Sequence, residues 1–262
     1  MLNEKAGEWF GDKYRILIDK GIDGFWNDMN EPAIFYSEKH LKEVFEKLED
    51  YKKMNLDVNT FFEMQGMVGS ICNNPEDYAS FYHNYKGRHY RHDQVHNLFG
   101  YYMTRSASEA FERYVPEKRI LLFSRASYIG MHRFGGIWQG DNASWWSHLK
   151  MNVKMMPSLN MCGFLYTGAD AGGFGNDTTE DLMLRWLEFA VFTPLLRNHS
   201  ARGTRRQEVY RFSHVEKFAD VIGVRYQILP YIYSEYMKAA LQNTMMFNPL
   251  SFLYGEDALA GQ

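Results

Sequence analysis

Four charged side chains close short apolar runs in this sequence. Asp28 ends GIDGFWND (21–28), Arg125 ends RILLFSR (119–125), Asp141 ends GGIWQGD (135–141) and Asp170 ends CGFLYTGAD (162–170). One such ending is unremarkable, because strands end at a surface. Four in succession suggest parallel strands whose C-terminal ends ring one face, the face on which α/β barrels build their sites. Asp28 and Asp141 are then the natural pair of carboxylates. Two carboxyl groups facing each other across a pocket suit glycoside hydrolysis, in which one protonates the leaving oxygen while its partner stays ionised. An aromatic residue precedes each of them, Trp26 and Trp138. Sugars present flat C–H faces that stack on such rings.

The elements that must position these residues alternate between apolar runs and amphipathic stretches. Continuous apolar runs suit a parallel sheet covered by helices. A weaker fifth strand candidate, MMFNPLSF (245–252), contains a proline. Helices are expected over about 5–20, 37–54, 96–114, 176–192 and 214–241. In the second of these, Leu41, Val44, Phe45, Leu48 and Tyr51 share one face. The fourth opens with Asp177 and Glu180 at capping spacing, and Pro230 predicts a kink or break in the fifth. The fold class expected is α/β, a partial (β/α)8 barrel of about strands 4 to 8. Residues 1–262 would form part of one catalytic barrel, with 36–95 as an insertion between the first two strands present. The stretch from about 52 onward is polar and aromatic and breaks the alternation, as insertions that shape a site do.

Composition narrows the partners. The chain has 262 residues, 45 % of them hydrophobic, enough for a sizeable core. A net charge of −3 without a concentrated basic patch argues against nucleic acid. No apolar stretch is long enough for a membrane helix. The two cysteines, Cys72 and Cys162, are too few for a disulfide framework and are expected to be buried thiols. The aromatic share of 16 % serves a core first, and then a site with flat apolar walls. The opening residues contain no signal-peptide core, and a cytoplasmic location is the expectation.

FWNDMNEP (25–32) and SRASYIGMHRFGGIWQGDNASW (124–145) resemble the nucleophile and acid/base segments of glycoside hydrolase family 31, the α-glucosidase/α-xylosidase family. TGADAGGF, LLRNHS and RYQILPYIYSEY follow in the order the resemblance requires. It implies Asp28 as catalytic nucleophile and Asp141 as general acid/base. It further implies that Arg125 and His199 bind sugar hydroxyls and that Asp170 lies beneath the same subsite. Trp26, Met29, Trp138 and Phe174 would form its walls. The substrate implied is an α-gluco-oligosaccharide, cleaved with retention, and no metal or organic cofactor is implied. Gln139 departs from the Thr or Ser usual before Gly-Asp in this family and bears on the aglycone side. Members of the family run to several hundred residues, so the first three barrel strands are expected in missing parts of the same parent chain. Expressed alone, this chain is expected to have negligible hydrolase activity.

Two other readings compete. Asn30-Glu31-Pro32 is also a signature of retaining β-glycosidases, with Glu31 as acid/base and a second Glu ending the seventh strand. Here that strand ends Thr167-Gly168-Ala169-Asp170, without a Glu. Otherwise Glu31 is an exposed carboxylate past the strand. The third reading is a non-catalytic carbohydrate-binding homologue, which retention of both carboxylates disfavours.

Overall fold

GFWN and LLFS bury alternate residues, Phe25 and Asn27 in one, Leu122 and Ser124 in the other. That period of two makes each a strand with one face turned inward. The computed structural model describes residues 1–33 and 35–256. It divides into two compact units, residues 1–128 and 129–262.

The first unit begins with α1 (Glu4–Lys13), capped by the Asn3 side chain, and α2 (Arg15–Ile18). The single helix expected over 5–20 is therefore two. Next come β1 (Gly24–Asn27), α3 (Glu38–Tyr51), α4 (Val58–Gly69), α5 (Pro75–Ser80), β2 (Tyr82–Tyr85), β3 (Arg88–Arg91), α6 (His92–Val95), α7 (Leu98–Tyr114) and β4 (Leu121–Ser124). β1 and β4 pair in parallel, Gly24 opposite Leu121 through Asn27 opposite Ser124. α1 and α7 pack together, and Ile18, Phe25, Ala107, Phe111 and Leu122 form the core beneath the two strands. On α3 only Val44 is buried, and Phe45 faces solvent despite sharing its stripe.

Residues 36–95 hold three helices, a hairpin and the short α6. Ser37 caps α3 and donates its hydroxyl to Asp77 of α5, whose other oxygen meets His40 Nδ1 at 2.9 Å. Phe35, Tyr78 and Phe99 surround His92, which is fully buried, and Phe81 packs on Phe35. His92 Nδ1 lies 2.8 Å from His83 Nε2. Burial pushes the His92 imidazole down to about 4, with His83 and His96 acting in the same direction.

The second unit holds β5 (Gly136–Ile137), α8 (Trp146–Met161), α9 (Glu180–Ala190), α10 (Val215–Gln242) and α11 (Leu250–Leu253). α9 buries Leu182, Met183, Trp186, Leu187 and Ala190, a helical stripe that packs with Ala171 and Phe218. Its cap is Thr179, whose side chain accepts from Leu182 N; Asp177 instead accepts from Arg205 N. α10 runs unbroken through Pro230. The expected strand 245–252 is absent: Met246 N and Phe247 N donate to the Asn160 side chain, and Pro249 leads into α11. Cys162 is exposed and Cys72 half-buried, so neither is the buried thiol expected. In neither unit do the described strands close into a barrel. No described helix is long and apolar enough to cross a membrane.

Candidate active site

Arg125 N donates to Asn27 O at 2.9 Å, extending the β1–β4 ladder by one bond. Asp28 and Arg125 therefore leave adjacent strands at the same end. Alternation puts Trp26 and Asp28 on one face, with Phe123 and Arg125 beside them. The rings of Trp26 and Phe123 stack at 5.9 Å and 11°. Arg125 Nη1 lies 3.3 Å from Asp28 Oδ1, and Met29 N donates to the same oxygen at 2.8 Å. The Asp28 carboxylate is 39 % exposed, open to a ligand yet beside a cation. Met29 adopts a left-handed φ of 58°, uncommon for a residue with a side chain, which turns the chain directly after Asp28.

That turn delivers two further residues. Asn30 is buried: its Nδ2 donates to Ser124 Oγ at 2.8 Å and its Oδ1 accepts from Ala126 N at 3.0 Å. Glu31 receives Arg125 through two bonds, Nε to Oε1 at 2.8 Å and Nη2 to Oε2 at 2.9 Å. Partial burial works against ionisation of Glu31, but the Arg125 bonds outweigh it and hold the carboxyl below the ordinary glutamate range. Glu31 is thus half-buried and ion-paired, where an exposed carboxylate was expected.

In the second unit the expected strand 162–170 opens on the turn that ends α8, at Cys162 and Gly163, and carries a single bridge at Asp170. Its carbonyls still serve two neighbours. Tyr166 O and Gly168 O accept from Ile137 N and Gln139 N, while Thr167 O accepts from Leu195 N. Gly168 is obligatory here, since a Cβ would stand 2.0 Å from Leu195 O. Asp170 is fully buried and accepts from Arg197 Nε at 2.6 Å. Burial pushes the Asp170 carboxyl up in spite of Arg197 and His199, and Asp141 adds to the rise. The Arg197 guanidinium also lies 5.3 Å from the ring of buried Trp138.

Asp141 is exposed on the loop after β5, and the following residue fixes that loop. Asn142 O accepts from Phe174 N and Gly175 N, and its Nδ2 donates to Asp170 O. Gly173, at φ 97°, lets this junction close, as a Cβ would meet Ser144 Cα at 2.4 Å. Phe174 stacks on His199 at 5.1 Å and 27°. His199 also lines a cleft of about 750 Å³ with Arg202, Arg205, Arg206, Gln207 and Tyr210. Gln139 turns its amide onto Met156 of α8 at 2.9 Å, so its side chain serves packing.

Each unit gathers part of the expected set: Trp26, Asp28, Met29 and Arg125 in the first, Trp138, Asp141, Asp170, Phe174 and His199 in the second. Sequence reasoning missed Arg197 and the Glu31–Arg125 pair. Arg197 carried a signal, because it too is a charged residue closing an apolar run, VFTPLLR. The described residues contain no group of three or more His, Cys, Asp or Glu suited to a metal ion.

Parallel strands that end on charged residues define a protein of the α/β kind, which builds its sites at the C-terminal ends of its strands. The description "Glycosyl hydrolases family 31 TIM-barrel domain" matches residues 1–235, and the chain belongs to that family. Alpha-glucosidase 2 of Bacillus thermoamyloliquefaciens is 32 % identical over 97 % of this chain, which spans 28 % of that relative. The family 31 alpha-glucosidase from Bacteroides thetaiotaomicron is similar in structure, with a TM-score of 0.66 and 28 % identity, over 93 % of this chain and 34 % of that one. A Flavobacterium johnsoniae dextranase complexed with glucose shares the fold, with a TM-score of 0.74 and 23 % identity, over 98 % of this chain and 28 % of that one.

Proposed function

We propose that this chain belongs to a retaining α-glucosidase that removes terminal α-linked glucose from oligosaccharides by double displacement. Asp28 attacks the anomeric carbon, and Asp141 protonates the leaving oxygen and later deprotonates water. Arg125 and His199 bind sugar hydroxyls between walls made by Trp26, Met29, Trp138 and Phe174, and Asp170 lies beneath the subsite and orders its network. Retention requires the two carboxyl groups about 5–5.5 Å apart, leaving no room for water between them. The observation that carries the reading is Arg125 Nη1 beside an accessible Asp28 carboxylate, at the ends of two parallel-paired strands. That placement leaves the carboxylate open to a ligand and oriented by a neighbouring cation. The names of the curated relatives supply further support.

Glu31 as acid/base of a β-glycosidase fits poorly. A general acid must arrive protonated, and Arg125 holds Glu31 ionised. The test compares nitrophenyl α- and β-glucosides on the intact enzyme, with proton NMR following the anomer first released. Hydrolysis of the α-glucoside giving α-glucose first is expected. Turnover of the β-glucoside alone, or β-glucose as first product, overturns the proposal.

A further inference from the structure

We propose that Glu31 is a positioning residue for the nucleophile: its two-bond grip keeps the Arg125 guanidinium beside Asp28 and prevents it from closing on Asp28. This rests on the reading of Asp28 as nucleophile and adds a role that reading leaves vacant.

The distances rank the two carboxylates. Glu31 takes Nε and Nη2 at 2.8 and 2.9 Å, the side-by-side geometry in which a guanidinium binds a carboxylate most strongly. Asp28 receives one longer contact, Nη1 at 3.3 Å. Met29 Sδ accepts from Nη2 at 3.1 Å, on the same side as Glu31. A carboxylate held by both arms of an arginine would be a poor nucleophile, because its lone pairs would be engaged and its basicity depressed. A carboxylate with no cation nearby would have no partner to orient it for attack. Sharing one guanidinium unequally between two acids avoids both.

The backbone fixes this division. Asn30 bonds to Ser124 and to Ala126 N, so the residues next to Glu31 and Arg125 are locked together. The left-handed Met29 sets the chain path from Asp28 to that lock. Among the described residues, His96 and Tyr78, both beyond β1, also interact with Glu31. Neither replaces Arg125 as its bonded partner.

The test is the pH dependence of kcat/KM in the intact enzyme, whose acid limb reports ionisation of the free nucleophile. Glu31→Gln removes the competing charge, so Arg125 closes on Asp28. The acid limb is expected to move down by about 0.5–1 pH unit, while kcat/KM at the optimum falls roughly 10–100-fold. Glu31→Asp, made in parallel, retracts the carboxylate by one methylene and loosens the grip with its charge retained. It is expected to shift the limb in the same direction by less, and it carries the test if Glu31→Gln is insoluble. A limb that stays in place or moves up in a folded variant, whatever the loss of rate, overturns the proposal. Asp28→Ala with added azide separates the two levels. Without rescue, the nucleophile reading fails and the proposal with it. Rescue together with an unmoved limb sinks the positioning role alone.

Discussion

Asp28→Ala in the intact enzyme is expected to lower kcat by about 10⁴-fold or more, the scale on which removal of a covalent nucleophile acts. At about 1.4 kcal/mol per tenfold, that is at least about 5.5 kcal/mol of lost transition-state stabilisation. Folding should survive, because the Asp28 side chain is 39 % exposed and its ion pair with Arg125 is partly solvated. Arg125 keeps its two bonds to Glu31, so the cation is not stranded. Azide can then occupy the space the carboxylate vacates. It attacks the anomeric carbon from the face opposite the leaving group, in one displacement, and leaves as β-glucosyl azide. The readout is product configuration by NMR together with the rate as azide is raised. An α-glucosyl azide would mean that Asp28 is the acid/base, and unchanged hydrolysis by the variant would remove it from the chemistry.

The second large effect is on stability. Arg197→Ala leaves the Asp170 carboxylate fully buried without its cation, and losing one partner of such a pair costs about 3–5 kcal/mol. Calorimetry should show Tm falling on the order of 10 °C. Adding Asp170→Asn removes the stranded charge and is expected to recover a large part of the loss. The dependence on pH has a definite sign. Asp170 titrates above its ordinary range, so the folded state holds its proton to higher pH than the unfolded chain does. Its contribution therefore favours folding most at low pH and declines as pH rises from the ordinary aspartate range through the raised value. Arg197→Ala steepens that decline. A variant whose Tm is the same across this window would show that the pair carries no such load.

The candidate residues were legible to different degrees, for physical reasons. Asp28 and Arg125 could be read because a strand that ends at a surface announces its last charged residue. Their partner could not. Glu31 reaches Arg125 only because Met29 turns the chain left-handed, and nothing in the side chain of a methionine signals that turn. α8 escaped notice because its buried stripe is Asn152, Met156 and Asn160. Hydrophobic periodicity cannot report a helix that hides two amides. One of those amides, Asn160, also accounts for the absent fifth strand, since it takes the backbone N–H groups of residues 246 and 247. The cap of α9 was misplaced by two residues because Asp177 and Thr179 are both competent caps. Tertiary structure settled the matter by committing Asp177 to Arg205. The parallel α/β class was legible throughout, since it needs only the alternation of elements.

The contact between His83 and His92 leaves one hydrogen to lie between two ring nitrogens. With His92 buried and neutral near pH 7, that hydrogen is held away from water. The 36–95 segment thereby contains its own spectroscopic reporter. The imidazole proton between the rings resonates apart from the amides, and its exchange with deuterium measures how often this segment opens. That frequency can be followed separately from the unfolding of the strands that hold Asp28.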